Sequence, residues 1–454
     1  METQSKHTNY NYKRIVIPFK AKLVENIRLL PKSERYQRLK DCGFNVLKLN
    51  SSDVYIDLVT DSGSGALSSA QCGHMLMADE SYVRPDSFFK LESTVKRIFG
   101  FPHMHPVHQG RGAQQLIDFL LVKPNMIIPG NSQYSTVVAD INLKASKTVD
   151  CTIEFNEDPI FKGNVSLNEL QKVFEMYETN SIPFVLITLT CNENGGEPVS
   201  MRNIKSVSHL TKKYGVKLFA DCARFAENAY FIKNYEDGFK EKSVRNIILE
   251  MFSYFDGCIM SGRKDGIVPT GGFICVRDSI LYEALKKPLY IFEGYFSNGG
   301  MSSAIMEALA LGIEEVTDEI YLNHRIQQIH RFGNLMKSFG VPLIEPFGAH
   351  GLVIDVRKFF PNIGPEEYSA NLLCVEVYLE GGIRLLPHEK PPVENDRFEY
   401  CHINIPRRTY SFEHLEYVAD VIRTVYLNKR LTQKGLKKES SNSEPLKIDF
   451  SYNE

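Results

Sequence analysis

Short apolar runs alternate with segments of helical periodicity through the middle of the chain. Residues 184–190 (FVLITLT) form a β-branched run between polar turn residues, which predicts a buried strand. Ser200 then precedes apolar positions three or four residues apart, and this spacing predicts a helix that ends near Gly215. The runs VKLFAD (216–221) and GCIMSG (257–262) predict further strands. Strands and helices alternating in this order indicate an α/β fold with a parallel sheet.

The pattern changes near Ile320. The long helical segment HRIQQIHRFGNLMKSFG precedes two short predicted strands, GLVIDV and CHINIP, and a final helix, HLEYVADVIRTVYL. This mixture predicts a smaller α+β domain, and the polar tract 432–447 predicts a mobile linker to a terminal strand or arm. The expected division is an N-terminal arm with part of the small domain (1–60), a large ligand-binding domain (61–320), and a C-terminal small domain with a terminal arm (321–454).

Composition narrows the possible functions. The 454 residues are 43% hydrophobic and 24% charged, with a formal net charge of -2, so no strong field would gather nucleic acid or an anionic membrane. The start is polar, and nowhere do about 18 apolar residues follow one another, so we expect a cytoplasmic protein without a membrane partner. Nine scattered cysteines without a CxxC pair indicate free thiols. Small-molecule chemistry or a protein partner is favoured.

Reactive side chains follow several predicted strands. In α/β sheets, ligands bind beyond the carboxyl ends of the strands, and Asn192, Asp221 with Arg224, and Lys264 occupy such places. A lysine there could simply be exposed to solvent. However, partial burial and the adjacent Arg263 both disfavour the ammonium form, which would make the Lys264 amine nucleophilic near neutral pH. A nucleophilic amine is what a cofactor aldehyde such as pyridoxal phosphate requires.

Such a cofactor also needs an anion site and an acid for its ring nitrogen. The segment HQGRGAQQLIDFLL places Gln109, Gly110 and Arg111 just before a predicted helix, where backbone amides and a guanidinium bind phosphate well. The GRG motif alone is weak, and it lacks the GxGxxG spacing of dinucleotide sites. Asp221 can pair with the pyridine nitrogen, although a helix N-cap is an equally good interpretation of this residue alone.

Several ordered stretches carry a family resemblance. They are DVYIDLVTDSGSGALS (53–68), MLMADESY (75–82), HQGRGA (108–113), IPGNSQYST (128–136), NENGGEPVSM (192–201), FADCARFAENAYFIK (219–233), EMFSYFDGCIMSGRKDGIVPTGGF (250–273) and NIPRRTY (404–410). In these stretches the chain resembles the β-eliminating lyases, the family of tryptophan indole-lyase and tyrosine phenol-lyase. The resemblance implies pyridoxal phosphate-dependent fold type I, with a mostly parallel seven-stranded sheet in the large domain. It also implies a homotetramer built as a dimer of dimers with shared active sites.

The resemblance assigns roles to individual residues. Lys264 is expected to carry the cofactor and to remove the substrate α-proton. Tyr82 is expected to protonate the leaving group across a subunit interface, although a tyrosine packed with its hydroxyl in water is the alternative. The expected cofactor contacts are Gln109, Gly110, Arg111 and Ser261 to the phosphate, Tyr134 to the ring face, Asp221 to the ring nitrogen, and Asn192 and Arg224 to the phenolate oxygen.

The resemblance also implies a potassium site. Glu80 matches its carboxylate ligand, and the backbone carbonyls near Gly63 and Pro269 complete it. Arg263 stands where the family usually has a lysine. A different metal site, made by the HMHPVH run (103–108) with histidines further along the chain, is a weaker alternative because no acidic or cysteine partner clusters there.

Departures from the family pattern concentrate on the substrate side. His402 occupies the position of the arginine that clamps the substrate α-carboxylate, and a histidine cannot offer a bidentate fork. His388 stands where tyrosine phenol-lyase has an arginine and tryptophan indole-lyase an isoleucine. Together with Thr60, these residues are the expected substrate contacts, and neither tyrosine nor tryptophan is the favoured substrate.

Three hypotheses follow from these residues. The first is a lyase that performs β-elimination on an amino acid with altered specificity. The second keeps the cofactor but changes the reaction to β-replacement, retro-aldol cleavage, decarboxylation or transamination of a modified amino acid or amine. The third, against which the intact lysine and phosphate loop argue, is a pseudoenzyme that acts as a binding protein.

Overall fold

The computed structural model describes residues 16–154, 157–191, 195–389, 399–429, 434–439 and 445–453. Its helices are α1 (Lys32–Asp41), α2 (Ser69–Leu76), α3 (Asp86–Phe99), α4 (Gly110–Leu121), α5 (Ser135–Leu143), α6 (Leu167–Met176), α7 (Met201–Tyr214), α8 (Phe225–Tyr235), α9 (Val244–Phe252), α10 (Ser279–Phe292), α11 (Ser303–Glu315), α12 (Glu319–Ser338), α13 (Val356–Phe359), α14 (Ser369–Gly381) and α15 (Phe412–Asn428). Its strands are β1 (Ile56–Asp57), β2 (His103–Val107), β3 (Ile127–Gly130), β4 (Lys147–Asp150), β5 (Phe184–Thr188), β6 (Lys217–Asp221), β7 (Gly257–Ser261), β8 (Gly272–Val276), β9 (Gly351–Asp355), β10 (Ile383–Arg384), β11 (Leu386–Glu389), β12 (Glu399–Asn404), β13 (Leu436–Lys438) and β14 (Phe450–Tyr452).

A seven-stranded sheet forms the centre of the molecule, in the order β2-β8-β7-β6-β5-β3-β4. Strands β7, β6, β5, β3 and β4 pair in parallel, and β8 runs antiparallel to both of its neighbours. Every residue of β5, β7 and β8 is buried, as expected for strands covered on both faces by helices. The predicted α/β class with a mostly parallel seven-stranded sheet is confirmed.

Local sequence signals explain the boundaries of α7. The Ser200 hydroxyl accepts a hydrogen bond from the backbone N–H of Asn203, and Gly215 ends the helix at a φ of 69°, in the left-handed region. Because α7 begins and ends at these signals, β6 starts two residues later, at Lys217. Because β6 pairs in parallel with β7, Asp221 at the carboxyl end of β6 lies at the same edge of the sheet as the end of β7.

A second apolar core joins the two ends of the chain. It contains residues from Leu39 to Leu58 and from Ile329 to Phe450, and it packs beside the three-stranded antiparallel sheet β11-β12-β9. A smaller α+β unit was expected in this part of the chain, while its limits at residues 60 and 320 stay a prediction.

The described part of the 432–447 tract is more ordered than a linker. Leu436–Lys438 pairs with Phe450–Tyr452 as an antiparallel ribbon, although the polar composition predicted no strand there. Residues 432–433 and 440–444 lie outside the described residues. None of the described helices is both long enough and apolar enough to cross a membrane.

Candidate active site

A cavity of about 920 Å³ opens at the carboxyl edge of the central sheet. Residues 59–62, the first half of α4, helix α5 with Tyr134 before it, and the ends of β6 and β7 with the loops after them form most of its wall. Leu386 and Asn404 reach it from the small antiparallel sheet. Eight of the predicted cofactor residues line it: Gln109, Gly110, Arg111, Tyr134, Asp221, Arg224, Ser261 and Lys264. Asn192, the remaining one, lies outside the described residues. Residues far apart in sequence therefore meet in one cavity, as the strand-end argument predicts.

Lys264 follows β7 and is largely buried in this cavity. Its Nζ lies 3.3 Å from the Ser261 hydroxyl and 5.5 Å from the centre of the Tyr134 ring. Burial, followed by the positive charge of Arg224, lowers the pKa of the Lys264 amine to about 8. Burial as a cause of the lowered pKa is confirmed. The second expected cause, Arg263, is wrong, because Arg224 supplies the nearby positive charge and the Arg263 guanidinium binds the Ser62 hydroxyl and the Pro269 carbonyl.

The pKa of Lys264 makes cofactor attachment pH-dependent. Only the neutral amine attacks an aldehyde, so the rate at which the cofactor-free protein takes up pyridoxal phosphate should rise with pH, with a midpoint near 8, and then level off. Stopped-flow absorbance between about pH 6.5 and 9.5 measures this rate. A rate still rising steeply above about pH 10, the range of an ordinary lysine, would contradict the account.

Asp221 ends β6 at the floor of the cavity. Burial raises the pKa of its carboxyl, and the opposing influences are Lys264, the backbone N–H of Ala223 and Arg224. The N-cap of α8 is Arg224, so the alternative interpretation of Asp221 as a helix cap is wrong. The carboxylate of Asp221 faces the cavity and can accept a hydrogen bond from the N–H of a protonated ring nitrogen.

Arg224 is fixed by a carboxylate and by Tyr134. Its guanidinium is 2% exposed and donates to both carboxylate oxygens of Asp61, at 2.7 and 3.0 Å, and to the Tyr134 hydroxyl. Burial opposes ionisation of Asp61, but the nearby charges of Arg224 and Arg407 hold the pKa of that carboxyl well below its usual range. The two hydrogen bonds to Asp61 hold the Arg224 guanidinium in one position, so its positive charge stays at the cavity wall.

The first turn of α4 forms an anion site. Among the described residues, the backbone amides of Gly110 and Arg111 have no hydrogen-bond acceptor, and the helix N-terminus adds partial positive charge. Gly110 is required at this point, because a Cβ on it would lie 2.7 Å from the Cβ of Ser261. The cavity, the amides, Lys264 and Asp221 together fit a phosphorylated pyridine aldehyde.

A buried ionic network behind the cavity was missed by the sequence analysis. Arg407 donates to Asp61 at 2.8 Å, to Glu227 at 2.7 Å and to Asp265 at 2.9 Å, and Arg325 also reaches Glu227. The signal was present, since Asp61, Glu227, Asp265 and Arg407 all fall inside the stretches that carry the family resemblance. Their contacts join residues up to 346 positions apart, which sequence spacing does not reveal.

Tyr82 is not part of the cavity within one chain. It is 65% exposed, and its ring lies 5.5 Å from that of Tyr295. The role expected for it requires a second subunit to bring its hydroxyl to the cavity, so that role stays a prediction.

The expected substrate residues are only partly at the cavity. Thr60 lines it and is exposed, with its hydroxyl accepting the backbone N–H of Ser62 at 3.0 Å. His402 is 2% exposed and lies with His388 behind the wall, their ring centres 5.0 Å apart. The pairing of β11 with β12 places both histidines on the same face as Leu386 and Asn404, the two residues that reach the cavity.

The expected potassium ligands do not form an open site. The carbonyl of Pro269 accepts a hydrogen bond from the Arg263 guanidinium at 2.7 Å, and that group also packs against Gly63. Glu80 accepts the backbone N–H groups of Ser303 and Ala304 at the start of α11. The residues present therefore do not fit a bound potassium ion in this chain.

The histidine run at 103–108 has other partners than a metal. His105 stacks on Tyr282 with ring centres 4.2 Å apart, and His108 lies 2.5 Å from a carboxylate oxygen of Glu293. In the described ranges, no three His, Cys, Asp or Glu side chains are arranged to hold a metal ion.

Comparison with known proteins identifies the relatives of this chain. The sequence profile of the β-eliminating lyases matches residues 57–421. The chain belongs to the β-eliminating lyase family. A tyrosine phenol-lyase from Fusobacterium nucleatum subsp. nucleatum is 40% identical over 430 residues, which cover 91% of this chain and 92% of that protein. A probable β-eliminating lyase from Trichomonas vaginalis is also 40% identical, over 92% of this chain and 94% of its own.

Solved structures give the same fold. An aromatic aminotransferase from Pyrococcus horikoshii OT3 superposes with a TM-score of 0.60 at 14% identity, covering 88% of this chain and all of its own. A serine palmitoyltransferase from Sphingomonas wittichii gives a TM-score of 0.59 at 14% identity, with 83% and 88% covered. The expectation of a pyridoxal phosphate-dependent enzyme of the β-eliminating lyase family, with fold type I, is confirmed.

Proposed function

We propose that this β-eliminating lyase cleaves a Cβ substituent from an amino acid other than tyrosine or tryptophan. One observation carries the proposal: every described cofactor residue expected from the family resemblance lines the cavity, whereas His402 and His388, at positions where the resemblance places other residues, do not line it. An enzyme with an intact cofactor side and a changed substrate side is expected to keep the chemistry and change the substrate.

Lys264, the backbone amides of α4 and Tyr82 each have a separate task in the proposed reaction. Lys264 and the α4 amides would hold pyridoxal phosphate, which when bound would supply an electron sink for Cα. Lys264, once the substrate amine has replaced it on the cofactor aldehyde, would take the proton from Cα as a free amine. Its lowered pKa, about 8, would keep much of that amine neutral and able to act as the general base. The Cβ–substituent bond then breaks, and the leaving group departs with the electron pair and accepts a proton from Tyr82. Water hydrolyses the remaining unsaturated amine to a keto acid and ammonia.

The substrate side of the cavity indicates that the substrate α-carboxylate is bound differently from the arginine clamp expected of the family. An arginine binds a carboxylate through two parallel N–H groups, whereas a histidine offers one N–H per ring edge. His402 is nearly fully buried and lies next to His388, so the pair forms a compact aromatic patch behind Leu386 and Asn404. This arrangement favours a substrate whose recognition depends less on an arginine clamp.

A product assay tests the proposal. Cofactor-loaded protein is incubated with a panel of L-amino acids and amines that differ in the Cβ substituent, and keto acid, ammonia and leaving group are measured together. Equal amounts of the three products from a substrate other than tyrosine or tryptophan are expected. Keto acid without ammonia would indicate transamination, loss of carbon dioxide would indicate decarboxylation, and glycine with an aldehyde would indicate retro-aldol cleavage, and each would overturn the proposed reaction. Full activity confined to tyrosine or tryptophan would overturn the altered specificity.

The exposed Tyr82 leads to a prediction about shared active sites in a homotetramer. Tyr82→Phe should lower β-elimination by about 10²–10⁴-fold and Lys264→Ala by about 10⁴-fold, since each removes a proton-transfer group. If the two groups of one site come from different subunits, refolding a mixture of the two variants should restore part of the activity. The two variants refolded separately and then combined are the control. No recovery in the mixture, with mixed assemblies shown by mass, would contradict shared sites.

A further inference from the structure

Arg263 places a fixed positive charge against backbone carbonyls at the entrance of the cavity. One guanidinium nitrogen donates to the Pro269 carbonyl at 2.7 Å, and another to the Ser62 carbonyl at 3.2 Å. The Nε group donates to the Ser62 hydroxyl at 3.2 Å. A single side chain therefore joins the loop after β7 to the loop that follows residue 60.

The two loops are shaped to receive this group. Gly63 has a φ of 74°, and a Cβ at this position would overlap the guanidinium of Arg263. The backbone N–H of Gly63 also donates to the carbonyl of Arg263 at 2.7 Å, so the two segments bind each other in both directions. The glycine thus makes the room in which the guanidinium lies.

The contacts of Arg263 are those of a bound cation. Backbone carbonyl and hydroxyl oxygens surround the guanidinium, and within the described ranges no carboxylate lies within 4.0 Å of it. A guanidinium stays charged at every physiological pH. The Pro269 and Ser62 carbonyls already accept from the guanidinium, so a mobile cation would have to displace Arg263 to bind the same oxygens.

The position of this charge matters for the cavity. Arg263 directly precedes Lys264, and the loop it holds contains Asp61, which pairs with Arg224 at 2.7 Å. Fixing that loop therefore fixes the carboxylate that orients Arg224, as well as the backbone that carries the lysine. A cation at this place affects the cofactor site by holding Asp61 and the backbone of Lys264 in position. It does not contact the reacting atoms.

We propose that the Arg263 side chain is a built-in substitute for a monovalent cation, so that the cofactor site of this enzyme needs no potassium. The inference rests on cofactor binding at Lys264 but not on the nature of the reaction. Arg263 is a positioning residue in this account. A lysine at the same place ends in a single ammonium nitrogen, so it cannot reproduce the contacts that Arg263 makes through three separate nitrogens. It would leave one of the carbonyls to an added ion.

Cofactor affinity in different salts tests the proposal. The dissociation constant of pyridoxal phosphate is measured by absorbance titration of the cofactor-free protein, in potassium chloride and in tetramethylammonium chloride at equal ionic strength. Melting temperatures in the same two salts give a second readout. The parent protein should show the same values in both. Arg263→Lys should bind the cofactor about tenfold more weakly in tetramethylammonium and recover in potassium, within the usual range of coupling between two sites.

The control is Arg408→Lys, which changes an arginine that pairs with Glu315 at 2.8 Å and does not contact either loop carbonyl. It should be insensitive to the cation, like the parent. A parent protein that loses cofactor affinity without potassium would overturn the proposal. So would an Arg263→Lys variant whose affinity and melting temperature are the same in both salts. Loss of the proposed lyase reaction alone, with these binding results unchanged, would leave the role of Arg263 standing and remove only the proposed function.

Discussion

Replacing Lys264 by alanine is expected to reduce turnover by about 10⁴-fold, the upper range for removal of a general base. The variant lacks both the amine that holds the cofactor covalently and the base that removes the α-proton. It should still bind pyridoxal phosphate through Asp221 and the α4 amides, but without the visible absorbance of the lysine-bound form. Steady-state kinetics and an absorbance spectrum of the same sample measure both effects.

The control for this variant is Lys286→Ala, which removes an amine that pairs with Glu283 on the surface of α10 at 2.6 Å. It should keep the parent turnover and spectrum. Circular dichroism establishes that both variants are folded. A Lys264→Ala protein with parent activity would show that the amine at the end of β7 is not the catalytic base.

Replacing Arg407 by alanine is expected to destabilise the protein by about 3–5 kcal/mol, the usual effect of removing one partner from a buried ion pair. Arg407 is 1% exposed and forms ion pairs with Asp61, Glu227 and Asp265, so its loss leaves these buried carboxylates without their cation. Some of these carboxylates would take up protons, so the variant should lose more stability at pH 8 than at pH 6. Urea unfolding at the two pH values measures the difference.

The adjacent Arg408 provides a matched comparison. Its guanidinium pairs with Glu315 at 2.8 Å and lies 4.7 Å from the centre of the Tyr321 ring, in a less buried place. Arg408→Ala should therefore cost about 1 kcal/mol. Equal losses for the two variants would mean that the buried network contributes nothing beyond an ordinary ion pair.

The sequence predicted the elements that carry the site better than the contacts within it. The β-branched run of β5 and the Ser200 and Gly215 signals of α7 are local, so they could be located without a structure. Lys264 and Asp221 could be placed at the cavity because Asp221 ends a predicted strand, Lys264 follows another, and both lie in matched motifs. The direction of a side chain in a turn is not a local property, which is why Arg263 was wrongly given the influence on Lys264 that Arg224 has.

Long-range pairing explains the other misses. Asp61 and Arg407 lie 346 residues apart, and only the folded chain shows that they form one network with Arg224. The strand Leu436–Lys438 lies in a polar tract that predicts no strand, because its partner Phe450–Tyr452 supplies the pairing. The role proposed for Tyr82 requires a second copy of the chain, so a single subunit does not test it.

Exchange of the substrate α-hydrogen tests the central claim most directly, since it requires the cofactor and Lys264 but no particular leaving group. Cofactor-loaded protein is incubated in deuterium oxide with the same panel of amino acids and amines, and proton NMR follows the α-hydrogen signal. We predict exchange of the α-hydrogen of at least one amino acid with the parent protein and none with Lys264→Ala. Exchange at the same rate in both proteins, or none for any compound with the parent, would contradict the assignment of Lys264 as the base of a β-eliminating lyase.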